Sequence, residues 1–291
     1  MNQQSKSFLL ESGQIEDIAR SKAGLEALLK FHWEYYSELA FLRSNVYDSL
    51  KGSLLGPAKP FQFSKWQRAV KYKYSLDPLG TKGSRLEPGG RFNIGAVDPT
   101  RFVVFSGLYL GFDKRTALAE LLGRDDSDGS LTPEELALTK PNSVAVVSVS
   151  GNLESVFDVR NSKDLAGFVD LIKEFQLSPA LKRKAKKLGL PVSRLTLVRT
   201  VDLLQKELLK SNWRLWPMQF DVPSPSQIFG QIAMDAGIEG ILYTSALTEQ
   251  PCLVVYPPNL ANSPSYVELD DPAPSETVPR RIDADTYSSF S

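Results

Sequence analysis

The stretch PGGRFNIG at residues 88–95 joins two glycines, which permit tight backbone geometry, to a guanidinium and an amide at Arg91 and Asn93. An arginine presented from such a bend can hold phosphate oxygens through paired N–H donors. The loop has neither the Gly-Lys-Ser/Thr of a Walker motif nor a GxGxxG dinucleotide fingerprint, and taken alone a glycine turn with a surface arginine is the commoner outcome. In FSGLYLGFDKRTALAEL, residues 105–121, a strand delivers Tyr109 at its end, and a short turn leads to a helix carrying Glu120 among Ala117, Leu118, Ala119 and Leu121. A carboxylate on a core-facing helix is costly without a charged or hydrogen-bonding partner, and such groups concentrate at functional sites; on an exposed stripe it needs no explanation. In AGIEGILYTSALTEQPCLVVY, residues 236–256, Ser245 stands just beyond the strand Ile241–Tyr243, where a serine is most often a turn residue. No histidine accompanies it to act as base, which argues against hydrolysis through an acyl-serine.

Composition narrows the chemistry further. The 291 residues are 42% hydrophobic and 23% charged, which excludes a fibrous, mucin-like or wholly disordered chain. Thirty-four basic residues balance thirty-four acidic ones, so the chain as a whole has no electrostatic footprint for nucleic acid or an anionic membrane, and any polyanion it binds must be small. One histidine, His32, and one cysteine, Cys252, supply neither a multi-histidine metal cage nor an internal disulfide, and no metal is expected. The opening MNQQSKSFLLESGQ lacks the long apolar core of a secretion signal, and no segment reaches the roughly 18 apolar residues that span a bilayer; the expectation is a soluble, cytoplasmic protein.

The elements that must position these residues follow from periodicity. Residues 14–50 place apolar side chains at three- and four-residue intervals and predict one or two amphipathic helices, followed by a Gly- and Pro-rich linker at 51–60. Beyond Phe61, short apolar runs predict strands at 102–110, 144–149, 195–201, 241–243 and 252–256, and helical patterns lie at 114–122, 164–176 and 226–236, the last stopped by Gly237. This irregular mixture predicts an α+β fold. The expected division is a helical N-terminal extension at 1–60, a catalytic domain at 61–258 and a flexible acidic tail at 259–291, where Pro, Ser and acids leave little apolar surface to offset ordering.

Trp66-Gln67-Arg68 on an early strand, Gly90-Arg91-Phe92-Asn93, Tyr109-Leu110 followed by Thr116-Ala117-Leu118-Ala119-Glu120, and Gly240-Ile241-Leu242-Tyr243-Thr244-Ser245 together resemble, in order and local spacing, the RES-domain family of NAD-consuming bacterial toxins. The resemblance covers about residues 63–258. It implies an ADP-ribosyltransferase-like fold, with small mixed or antiparallel sheets around a cleft that holds NAD, and cleavage of the nicotinamide–ribose bond by water or phosphate, or transfer of ADP-ribose to a macromolecule. Carried over residue by residue, it implies that Arg68 and Arg91 grip phosphate, Tyr109 packs near nicotinamide or ribose, Glu120 is the catalytic carboxylate, Ser245 is a polar contact in the cleft, and Asn93 joins the substrate-binding set. A protein antitoxin, inorganic phosphate and a second copy of the chain are the partners it admits, with no membrane and no nucleic acid. The sequence departs from the compact toxins in its helical start, in the long interval between Glu120 and Ser245, and in Thr244 where proline is frequent. A non-catalytic interaction module is the remaining alternative.

Other signals are weaker. Residues 124–135 resemble a calcium-binding EF-hand loop, but Arg124 stands where the first carboxylate ligand belongs. The basic run LKRKAKKLG at 181–189 reads as a solvated helix face, NWRLWPMQF at 212–220 as core or lid aromatics that could alternatively line a nucleotide pocket, and Cys252 as buried filler.

Overall fold

The computed structural model describes residues 12–122, 144–190, 197–275 and 278–290, with side chains from residue 22 onward. In chain order its helices and strands are α1 (Ser12–Ser44), α2 (Tyr47–Leu55), β1 (Lys59–Lys71), β2 (Gly89–Gly90), β3 (Asn93–Ile94), β4 (Leu108–Gly111), α3 (Lys114–Leu122), β5 (Val144–Asp158), α4 (Ala166–Ile172), α5 (Pro179–Lys187), α6 (Val201–Leu208), α7 (Leu215–Phe220), α8 (Pro225–Asp235), β6 (Gly240–Thr244), β7 (Pro251–Val255), β8 (Tyr266–Leu269) and β9 (Arg281–Ile282). The fold is α+β with a helical N-terminal segment, as the irregular mixture of patterns predicts. No described helix is long and apolar enough to cross a membrane.

The chain divides into two compact units, Met1–Asn45 with Phe175–Leu197, and Val46–Glu174 with Val198–Ser291. In the first, α1 and α5 pack together: Glu38 accepts hydrogen bonds from the backbone N–H and hydroxyl of Ser178, the residue that caps α5, and Lys184 lies 2.5 Å from Glu34. Leu181 and Ala185 are buried while Lys182, Arg183, Lys186 and Lys187 face solvent, the solvated basic face that the run at 181–189 predicts.

The second unit is built on a seven-stranded mixed sheet in the order β1-β4-β7-β6-β5-β8-β9, with β1 also pairing β5, beside the two-stranded hairpin β2–β3. Only β5 and β6 run parallel; the other pairings are antiparallel. From Ile241 to Tyr243 and from Cys252 to Val255, β6 and β7 are buried on both faces, which suits their largely apolar side chains. Ile241, Tyr243, Cys252 and Val254 point to one core, shared with α2, α4, α6 and α8, and Leu242, Leu253 and Val255 to a second core with Trp66, Val267 and Ile282. Alternation carries into β4, where Leu108 and Leu110 enter the second core and Tyr109 turns to the first.

Several expectations are corrected. The linker at 51–60 is the second half of α2 and the start of β1: Leu50 and Leu54, one helical turn apart, are fully buried, and that burial outweighs the helix penalty of Gly52. The strand at 102–110 shrinks to β4. Residues 195–196 lie outside the described residues, 197–200 form no strand, and Val201 opens helix α6, because Thr200 caps it by accepting from Leu203 N–H and Leu204 and Leu208 bury one stripe. The flexible tail is corrected too. Segment 259–291 contributes β8 and β9, with Val267, Leu269, Ile282 and Phe290 buried in the second core. Its average composition hides this short alternation of apolar positions. The EF-hand-like run at 124–135 lies outside the described residues.

Candidate active site

Between β1, the 72–90 loop, β4, α3 and the 211–214 segment lies a cleft of about 360 Å³ lined by Arg68, Arg91, Tyr109 and Glu120. Each is held there by local structure. At the end of β4 the chain turns, the Asp113 carboxylate accepts the Thr116 N–H at 2.7 Å, and α3 begins. The helix carries Glu120 back to the cleft, half-buried. Ser245 leaves β6 into a tight turn whose N–H groups at Leu247 and Thr248 donate to its Oγ at 3.2 and 3.3 Å. With both acceptor sites occupied, the single hydroxyl proton goes to Glu120 Oε1 at 2.7 Å. A contact between Thr116 Oγ1 and Thr248 Oγ1 at 3.0 Å ties the same helix to the same turn. The acid that is out of place in the sequence thus has its partner.

The glycine bend is fixed from several sides. Asn93 accepts at Oδ1 from Gly90 N–H and the Tyr109 hydroxyl, and donates from Nδ2 to the carbonyls of Ser84 and Phe105. It is fully buried, and its amide knots the loop. Tyr109 in turn accepts from Phe92 N–H at 2.9 Å. From α8, whose Ser224 and Gln227 form a reciprocal cap, Gln227 Nε2 reaches the carbonyls of Pro88, Gly90 and Asn93. Gly90 is obligatory, because a Cβ there would lie 2.2 Å from the Tyr109 hydroxyl oxygen.

Arg91 leaves this bend with Nη1 on the carbonyls of Leu208 and Lys210, where α6 ends, and its buried Nε has no hydrogen-bond partner. Arg68 is clamped more completely, with Nε on Pro78 O at 2.6 Å, Nη2 on Gly80 O at 2.7 Å and Nη1 on Tyr109 O at 3.3 Å. Burial brings its pKa down to about 10 against the upward pull of Asp77. Its first task is therefore to hold the 78–80 loop against β4, which leaves only part of its donor set for a ligand.

Two further lining residues, Trp213 and Arg214, come from the run at 212–220, read as core or lid aromatics that could line a nucleotide pocket. The guanidinium of Arg214 lies 4.6 Å from the Trp213 ring centroid. Burial lowers the Arg214 pKa, the like charge of Arg91 lowers it further, and Glu120 acts the other way. The Tyr109 phenol is pushed up, chiefly by burial. The cleft thus sets Arg91, Arg214 and Glu120 near the half-buried Tyr109, an arrangement suited to a small anion with a reacting centre that becomes positive. Cys252 is fully buried with its thiol pushed up by burial, so it behaves as packing. Among the described residues no cluster of three or more His, Cys, Asp or Glu side chains is placed to hold a metal ion.

The family model of the RES domain matches residues 166–279. The RES resemblance read from the sequence is thus shown over that segment, which contains Arg214, Tyr243 and Ser245, while Arg68, Arg91, Tyr109 and Glu120 precede it. None of the curated proteins compared with the chain matches it. A solved chain from the crystal structure of the M. tuberculosis MbcT–MbcA toxin–antitoxin complex is similar at 14% identity and a TM-score of 0.39, over 83% of this chain and 96% of that one.

Proposed function

We propose that the cleft binds NAD and breaks the bond between nicotinamide and ribose, with Glu120 as the catalytic carboxylate. The observation that carries this reading is the Ser245–Glu120 hydrogen bond on the wall of a cleft that Arg91 and Arg214 also line. Nicotinamide in NAD is already a cationic leaving group, so its departure needs little general acid; the barrier lies in the positive charge that develops on the ribose. A fixed carboxylate stabilises that charge, and preorganised groups of this kind contribute about 3–4 kcal/mol each. Ser245 orients the acid, Arg91 and Arg214 take the diphosphate, and the Tyr109 ring packs against nicotinamide or its ribose. Arg68 shapes the floor of the cleft. In this reading the acceptor is water or inorganic phosphate, and the RES resemblance extends it to a toxin-like role neutralised by a protein antitoxin.

The test is incubation of the purified chain with NAD, with and without phosphate, followed by product analysis. Release of nicotinamide with free ADP-ribose identifies hydrolysis, and ADP-ribose 1″-phosphate identifies phosphorolysis. ADP-ribose fixed to a macromolecule identifies transfer. Intact NAD under all conditions overturns the reading.

A further inference from the structure

The cleft carries more positive charge than an NAD diphosphate requires. Arg68, Arg91 and Arg214 line it with Glu120, Arg214 feels the charges of both Arg91 and Glu120, and Arg68 has Asp77 as its counter-charge. Where β1 runs into the helical turn Tyr72–Tyr74, Lys71 and Lys73 line the same cleft. Glu87 and Glu120 are the only carboxylates among the described lining residues. Among the described residues neither Lys71 nor Lys73 has a carboxylate within 4.0 Å, whereas surface lysines such as Lys51, Lys173 and Lys210 each pair with an acid one turn away. The Lys73 ammonium lies 4.8 Å from the centroid of the Tyr74 ring, which also lines the cleft and lies against Gly83. Two ammonium groups without a carboxylate partner, one of them held over an aromatic ring, are a place for an anion.

We propose that the preferred substrate is the dinucleotide bearing a further phosphate on its adenosine ribose, NADP, with Lys71 and Lys73 as the residues that select it. This rests on the NAD reading above. With the scissile ribose at Glu120 and the diphosphate between Arg91 and Arg214, the adenosine extends along β1, where the three residues from Arg68 to Lys71 span about 10 Å of strand. The 2′-phosphate, a nearly dianionic group, meets the two ammonium groups that NAD leaves without a counter-charge. Both lysines are exposed, so each contributes modestly and in a salt-dependent way.

The experiment compares kcat/KM for nicotinamide release from NAD and from NADP at low ionic strength, for the wild type, Lys71→Ala/Lys73→Ala and Lys71→Arg/Lys73→Arg. The expected result is a wild-type preference for NADP of about tenfold, carried by KM and shrinking in high salt. The alanine pair brings the two substrates to within about twofold of each other, and the arginine pair keeps the preference. Equal or better cleavage of NAD by the wild type, or a ratio unmoved by the alanine pair, overturns the NADP proposal and leaves the NAD reading standing. Failure to cleave either dinucleotide overturns both.

Discussion

The Ser245 hydroxyl donates a 2.7 Å hydrogen bond to Oε1 of Glu120, joining side chains 125 positions apart. The geometry has no slack, because the serine oxygen is already the acceptor for two backbone N–H groups of its own turn and has one proton to give. A carboxylate held by such a donor keeps one oxygen fixed and leaves the other to face a ligand.

Ser245→Ala is therefore expected to lower kcat for nicotinamide release by roughly 10- to 100-fold, the range for removing a hydrogen bond to a charged group, with little change in KM. Steady-state kinetics checks this; a loss confined to KM would show that the serine binds substrate rather than orienting the acid.

Gly90→Ala tests the bend itself. Its Cβ would sit 2.2 Å from the Tyr109 hydroxyl oxygen and 2.5 Å from Asn93 Oδ1, so the loop must move. Overpacking of this kind costs about 1–3 kcal/mol, measurable by urea denaturation, and the activity is expected to fall with it because Arg91 is displaced.

Gln227 is buried in α8, and its amide donates to three carbonyls of the 88–93 loop. Gln227→Leu leaves those carbonyls without their donor and is expected to cost roughly 1–3 kcal/mol. Gln227→Glu, whose second side-chain oxygen cannot donate when ionised, is expected to be worse than Leu at neutral pH. Chemical denaturation of the two variants at a common temperature ranks them.

Alkaline pH is expected to unfold the protein cooperatively. Burial raises the phenols of Tyr109, Tyr243 and Tyr256 above their ordinary value of 10.0, so the folded state retains protons that the unfolded state releases. Their stabilisation is intact below about pH 10 and is lost as the pH climbs towards the folded-state values. Arg68, lowered to about 10, and Arg214, also lowered by burial, work in the opposite sense, since their burial becomes less costly as the pH rises, while the raised thiol of Cys252 acts with the phenols. Phenolate absorbance followed with circular dichroism checks this, with the phenolates of Tyr109, Tyr243 and Tyr256 appearing only as structure is lost.

Much of this site was legible because its chemistry conflicts with its surroundings. Glu120 sits among alanine and leucine, and PGGRFNIG combines backbone freedom with a cation, so each demands an explanation that a surface residue does not. Strands β6 and β7 were legible because runs buried on both faces stay apolar. What was missed depends on partners distant in sequence. Nothing local marks Gln227 as the residue that ties down the bend, or Arg214 as the second cation beside Glu120. Nothing local shows that the Asn93 amide ties Ser84 and Phe105 to the bend, since those partners lie outside the motif. The C-terminal strands escaped because Val267, Leu269 and Ile282 are few among prolines, serines and acids, and are buried only once β5 offers an edge to pair with.

The role of Glu120 is tested most directly by Glu120→Gln, which preserves shape and removes the charge. With NAD binding followed by calorimetry and nicotinamide release by chromatography, the account predicts that the variant binds NAD within a few-fold of the wild type yet cleaves it at least about 100-fold more slowly, the scale for losing a preorganised transition-state group. A Glu120→Gln protein that turns over NAD at the wild-type rate would contradict it.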